Sequence, residues 1–207
     1  MRRIVHHLAN SRSQRVLWLL EEMALPYEVR RYERDPKTMR APPELRAVHP
    51  LGRAPLLDED GTIFAESAAI IEHLVASTGQ FGPPPGADAA RRFTMFLHYA
   101  EGSLMPPLLS LLVIGRLGLL GRPARKPLLA MFAEHLAWID GELATREWFA
   151  GDAFSAADVM MSFPLEAARS RAGLDESFPN ILAWLAKIHA RPAYRRALEV
   201  GGLYAYA

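Results

Sequence analysis

The sequence predicts an α+β fold in two parts: a small mixed sheet with helices, followed by a region of helices alone. Two observations predict it. Strand-type and helix-type signals alternate up to about residue 78. Thr78–Ala87 then packs Gly79, Gly82, Pro83, Pro84, Pro85 and Gly86 into one stretch, and no convincing strand follows it.

Ile4–Leu8 is short and apolar, a strand. Ser11–Ala24 reads as a helix, with Val16, Leu20 and Met23 at helical spacing and Glu21 and Glu22 outside; Leu25-Pro26 ends it. Tyr27–Tyr32 alternates like a half-buried strand. Residues 34–48 are polar and proline-rich, a loop with one helical turn. Ala54–Asp58 and Thr62–Ala65 read as two strands joined by the turn Glu59-Asp60-Gly61, and Ser67 opens a helix through Ile70, Ile71, Leu74 and Val75. A strand–helix–strand unit makes a parallel pair and a tight turn an antiparallel one, so the sheet is mixed and four-stranded.

Beyond the linker, residues 88–104, 126–144, 156–169 and 180–190 carry helical patterns. Ser155 and Asp158 form a capping box, in which hydroxyl and carboxylate each bond a backbone N–H of the other residue's end. Trp138, Trp148 and Trp184 read as core of this part. The expected division is 1–78, a linker at 79–87, and an all-helical domain over 88–207.

Composition bounds the function. The 207 residues carry a net charge of +1 and are 50% hydrophobic, which points to a soluble globular protein and to neither nucleic acid nor a membrane as partner. The best basic cluster, Arg122, Arg125 and Lys126, lacks interleaved aromatics and reads as a solvated loop. The absence of cysteine excludes disulfides, zinc–thiolate sites and a cysteine nucleophile, and is compatible with a reducing, cytoplasmic compartment. Arg2 and Arg3 are followed by no apolar run of signal-peptide type. The longest apolar run, Leu104–Ile114, contains Pro106 and Pro107, falls short of the ~20 residues a bilayer span needs, and reads as a buried core helix. His6 and His7 point to opposite faces of a strand, so they form no joint metal site.

Three local features carry chemistry. Pro55 at a strand start marks an edge, a bulge or a cis bond; a cis bond would turn the backbone of Ala54 outward to meet an extended peptide. Glu66-Ser67 at a helix start could hold an α-amino acid head group, the carboxylate at the helix N-terminus and the ammonium at Glu66, or could be a plain cap. Asn10, Ser11 and Ser13 sit at the mouth of a strand-to-helix turn, where a hydroxyl can stabilise a thiolate or simply cap the helix.

Together, His49-Pro50-Leu51-Gly52-Arg53-Ala54-Pro55-Leu56-Leu57, Asp60-Gly61 and Phe64-Ala65-Glu66-Ser67-Ala68-Ala69-Ile70 resemble the glutathione-site core of the glutathione transferase family. The likeness extends over the linker and Phe154–Asp158. His49 and Ala54 depart from the family's Asn and Val. The resemblance implies a thioredoxin-like first domain, with Pro55 as the cis-proline and the Ala54 backbone against the cysteinyl part of glutathione. Glu66 and Ser67 would hold the γ-glutamyl group, and Arg53 the glycyl carboxylate. Ser11, four residues before Arg15, matches the catalytic serine of the serine-type classes. Tyr99 and Met105 would border the pocket for a small hydrophobic electrophile. The implied assembly is a homodimer, with glutathione as co-substrate, no tightly bound cofactor and no metal. The implied activity is transfer of the glutathione thiolate to that electrophile; a glutathione-dependent peroxidase or a non-catalytic scaffold on the same fold are the alternatives.

Overall fold

A computed structural model describes all 207 residues, and the chain forms two compact units. One comprises Met1–Gln80 with His189–Ala205 and Ala207; the other comprises Phe81–Ile188 with Tyr206.

In the first unit the strands are β1 (Arg3–Leu8), β2 (Glu28–Tyr32), β3 (Leu56–Glu59) and β4 (Thr62–Ala65). They form one four-stranded sheet in the order β2-β1-β3-β4. β1 pairs in parallel with β2, through the crossover helix α1 (Ser13–Glu22), and antiparallel with β3, which pairs antiparallel with β4. The mixed sheet expected from the sequence is therefore present. Its hairpin is tighter than expected: Glu59 pairs with Thr62 inside the ladder, leaving Asp60 and Gly61 as the loop, both at positive φ (49° and 90°). That is the two-residue turn whose twist matches that of paired strands.

α1 starts at Ser13, two residues later than the pattern suggested, because the Ser13 N–H donates to Ser11 Oγ at 3.2 Å and holds Ser11 outside the helix. The loop over 34–48 contains one short helix, α2 (Glu44–Val48). α3 (Ser67–Thr78) ends where Gly79 adopts φ 69° and returns its N–H to the Val75 carbonyl at 2.8 Å.

Residues 189–205, grouped by sequence pattern with the helical domain, fold with the first unit instead. The reason is the face of α9 (Pro192–Gly201) that meets α1. Tyr194 is buried edge-on against Trp18 at 5.1 Å, Arg191 forks onto Glu22 at 2.6 and 2.8 Å, and Arg196 reaches Glu21 at 3.0 Å. The Glu22 and Glu21 partners lie 169 and 175 residues away along the chain, beyond the reach of local periodicity.

The second unit contains α4 (Ala87–Tyr99), a π-helical turn at Ala100–Leu104, α5 (Met105–Arg116), a 3₁₀ turn at Gly118–Gly121, α6 (Arg122–Ala144), α7 (Ala156–Arg171) and α8 (Pro179–His189), whose last residue falls in the first unit. No strand forms in it; one bridge joins Trp148 to Gly151. α4, the π turn and α5 run on as one 30-residue helix, long and apolar enough by composition to cross a bilayer, but it packs against α6 and α7, and its Phe96, Leu97, Leu104, Leu108 and Leu111 are buried. The wider π turn precedes Pro106 and Pro107, whose missing N–H groups fall in the first turn of α5.

Two expectations about burial need correction. The run Leu104–Ile114 is two-faced: Leu104, Leu108 and Leu111 are buried, but Leu109 and Val113 are 56% and 52% exposed. Trp138 is 38% exposed, its ring stacked on Phe96, while Trp148 and Trp184 are buried. The capping box at α7 forms: Asp158 accepts from Ser155 N and Phe149 N at 3.0 Å each, and from Ser155 Oγ at 3.1 Å. Burial pushes its carboxyl up to about 6, against the opposing pull of these donors.

Glu59 ties the first unit together. It is 6% exposed and bonds Arg3 of β1 at 2.6 Å and His73 of α3 at 2.5 Å. Burial alone would raise its pKa; the bonds from His73 and Arg3 outweigh that and hold it below the ordinary 4.5. A carboxyl with a depressed folded pKa stabilises the fold above its unfolded pKa, and that contribution is lost as pH falls through the folded value. Acid titration of denaturant unfolding should therefore show wild-type stability falling below pH ~4.5 more steeply than that of Glu59→Gln, which starts less stable at neutral pH; parallel curves would contradict this role.

Candidate active site

One end of the first unit's sheet opens into a small cleft. The start of β3 forms one wall. The Ala54–Pro55 bond is cis, and β3 begins only at Leu56, so Ala54 stands outside the ladder at the rim. Pro55 is buried, and Arg53 beside it is exposed. The opposite wall is the end of β4 and the start of α3: the ladder sets Leu56 across from Ala65, which brings Glu66 and Ser67 next to the proline turn.

Glu66 has φ 71° and ψ 128°, left-handed backbone that costs a residue with a side chain about 1–3 kcal/mol. Such strain persists where surrounding structure enforces it, and it concentrates at ligand sites. The Glu66 carboxylate makes no capping bond to α3 and is exposed at the cleft.

Ser67, the first residue of α3, is 4% exposed, and its Oγ accepts from Arg15 Nη2 at 3.2 Å. With that bond accepted, the Ser67 hydroxyl hydrogen can be donated to an anion. Arg15 is itself 1% exposed, so a buried guanidinium backs the N-terminal end of α3. Helix terminus and cation add at the same point, an arrangement that favours an anion there.

The structure brings Arg53, Ala54, Pro55, Glu66 and Ser67 into one cleft, along with Arg12, His49 and Leu51, to which the sequence reading gave no binding role. Arg12 lies between the two serines of the strand-to-helix turn, and its charge at that mouth was the available signal. No local signal marked the role of Arg15, since Ser67 is 52 residues away.

Arg12 lines the cleft, and Ser11 directly precedes it at the strand-to-helix turn. Ser11 is 5% exposed, with its Oγ 2.7 Å from Ser13 Oγ. Ser13 is fully buried, accepts the Leu8 N–H at 3.2 Å, and lies 2.9 Å from His7 Nδ1. Burial, with Arg31 adding to it, pushes the His7 imidazole down to about 4, so the ring is neutral at neutral pH and carries one N–H. With that proton on Nδ1, Ser13 accepts from His7 and from the Leu8 N–H, and its own hydrogen goes either to Ser11 Oγ or to the Leu8 carbonyl at 3.4 Å. When that hydrogen goes to Ser11, Ser11 accepts from both the hydroxyl and the N–H of Ser13, and its own hydrogen is left to point outward. With the proton on Nε2 the chain reverses, and Ser11 donates inward to Ser13. Asn10 has φ 53°, and its Oδ1 accepts from Ala205 N at 2.7 Å.

Tyr99 and Met105 lie in the second unit. The half-buried Tyr99 ends α4, with its hydroxyl bonded to His135 Nδ1 and its ring against Phe96 and Trp138. Met105, also half-buried, opens α5 directly after the π turn.

The mixed four-stranded sheet and the helices that follow it have counterparts among known proteins. Residues 11–77 match the family model of the glutathione S-transferase N-terminal domain, and residues 122–187 that of the C-terminal domain. The chain is 35% identical to glutathione S-transferase 3 of Schizosaccharomyces pombe, over 95% of its own length and 86% of that protein's. A solved glutathione S-transferase from Actinobacillus pleuropneumoniae superposes with a TM-score of 0.88 at 32% identity, over 99% of this chain and 95% of that one. A glutathione transferase family member from Pseudomonas fluorescens, solved with two glutathione bound, gives a TM-score of 0.81 at 26% identity, over 95% and 92% of the two chains. The chain belongs to the glutathione S-transferase family.

Ser67→Ala removes the hydroxyl that sits between Arg15 and the cleft. Calorimetric titration should show glutathione binding weakened by ~1–3 kcal/mol, the usual cost of a lost hydrogen bond to a charged group; unchanged affinity would rule out the carboxylate assignment.

Proposed function

We propose that the protein conjugates the glutathione thiolate to a small hydrophobic electrophile. The observation that carries this reading is the convergence of cis-Pro55, the strained Glu66 and the Ser67–Arg15 pair on one cleft. An extended γ-glutamyl peptide would lay its cysteinyl backbone along Ala54. Its α-carboxylate would take the α3 N-terminus and Ser67, and its ammonium the Glu66 carboxylate. Arg53 and Arg12 supply positive charge for the glycyl carboxylate, with Arg53 the residue we assign to it.

In the reaction the thiol gives its proton to solvent and the thiolate sulfur attacks the electrophilic carbon. The leaving group departs with the electron pair of its own bond. The protein's part is to bind and orient glutathione and to favour the thiolate; each pKa unit of lowering corresponds to ~1.4 kcal/mol. We assign that last role to Ser11, whose hydroxyl hydrogen points outward when Ser13 donates to it. Tyr99 and Met105 are the residues we assign to the electrophile's side. Retention on immobilised glutathione with turnover of an aryl halide supports conjugation. Turnover of a hydroperoxide alone would shift the reading to the peroxidase, and binding without turnover of either would shift it to a scaffold.

Ser11→Ala should raise the pKa of the bound thiol, read from thiolate absorbance, and lower turnover at neutral pH while leaving glutathione affinity nearly intact. Loss of a well-aimed donor commonly costs 10²–10³ in rate, about the ceiling expected here because the helix terminus remains. An unmoved thiol pKa would exclude Ser11.

We infer a homodimer in the cytoplasm, on the strength of the family relationship and the cysteine-free chain. Light scattering should give about twice the chain mass of 23.1 kDa; a monomer at micromolar concentration would count against it.

A further inference from the structure

The turn joining α5 to α6 has a surface unlike the rest of the second unit. Leu117, Leu119 and Leu120 are 55%, 71% and 86% exposed. Leu109, Val113 and Leu117 stand four residues apart, so the apolar surface continues as a stripe down one face of α5. From residue 102 to residue 133 the chain has no aspartate or glutamate, but it has Arg116, Arg122, Arg125 and Lys126, all exposed. Three of these cations fall in the first two turns of α6, where the helix dipole disfavours positive charge and no acidic residue offsets it. Their placement does not serve the helix.

The turn is built, not slack. Gly118 takes φ 56°, and a Cβ on Gly121 would lie 2.2 Å from the Ile114 carbonyl oxygen. Backbone meets backbone there, and the leucines between the two glycines are held outward.

We propose that this turn is a docking surface for an anionic lipid bilayer. Leu117, Leu119 and Leu120 enter the boundary between headgroups and acyl chains, while Arg116, Arg122, Arg125 and Lys126 meet the lipid phosphates and acidic headgroups. A net charge of +1 for the whole chain is no obstacle, because beyond a Debye length of ~8 Å the distant carboxylates are screened and the local cluster decides. Charge also separates a bilayer from a second copy of the chain. A two-fold contact centred here would set the same four cations against themselves with no carboxylate in the segment to neutralise them. An anionic surface complements both the cations and the leucines.

The test is co-sedimentation of the full chain with phosphatidylcholine vesicles and with vesicles that also contain phosphatidylglycerol. The bound fraction should be at least ~10-fold greater on the anionic vesicles and should fall with added salt. The double variant Leu119→Ser/Leu120→Ser should lose this binding while keeping wild-type glutathione turnover and unfolding midpoint. Arg122→Glu/Arg125→Glu should lose the preference for phosphatidylglycerol. Absence of wild-type binding to anionic vesicles, or undiminished binding by either variant, overturns the proposal. So does a Leu119→Ser/Leu120→Ser chain whose mass halves in light scattering, since that outcome makes the turn a contact between copies.

Discussion

The register of β3 against β1 and β4 is the constraint on which the candidate site depends. Leu56 sits across from His6 on one side and Ala65 on the other, so the proline turn just before β3 and the helix start just after β4 emerge at the same end of the sheet. A slip of one residue would turn the apolar set of β3 to the other face and move Ala54 away from Glu66. Three devices pin that register: the two-residue Asp60-Gly61 turn, the Asp58 carboxylate accepting the Gly61 N–H at 2.8 Å, and Glu59 bonded across to both β1 and α3. The strained backbone of Glu66 is tolerable only because the elements on both sides of it are fixed in this way.

Electrostatics in the first unit follows from burial on α1. Arg15 is enclosed yet charged, and its bond to Ser67 directs that charge toward the start of α3. His7 is enclosed and neutral, and Ser13 links it to Ser11. α1 thus supplies one wall of the cleft with a fixed cation, and its first residue, Ser13, links the preceding turn to His7 of β1. α9 covers another side of α1, with Tyr194 on Trp18 and a close approach of Gly201 to Gln14 and Leu17. The last helix is therefore part of what holds these polar groups out of water, although it lies far along the chain.

In the second unit the buried order is concentrated in α7, whose residues 156–168 are all buried, and in the Asp158 cap that anchors Phe149 and Ser155 to its start. The long helix of α4 and α5 serves this core with one face only. Its outer face and the turn after it are left apolar and basic, a combination that neither charge nor hydropathy averaged over the chain reveals.

The sequence by itself determined the local structure: the order of strands and helices, the mixed sheet, the break near Gly79–Gly86 and the capping box at Ser155–Asp158. Each is encoded in spacing or turn chemistry within a few residues. Through the family resemblance it also named five cleft residues, because they fall in two short motifs, Arg53–Pro55 and Glu66–Ser67. What only the tertiary structure decided concerns partners distant in the chain. Arg15 meets Ser67, α9 joins the first unit, Trp138 and the outer face of Leu104–Ile114 stay exposed, and Arg12 lines the cleft. Periodicity reports that a face is apolar or that a residue is charged. Which surface covers that face, and which group meets that charge, depends on the packing of elements brought together only when the whole chain folds.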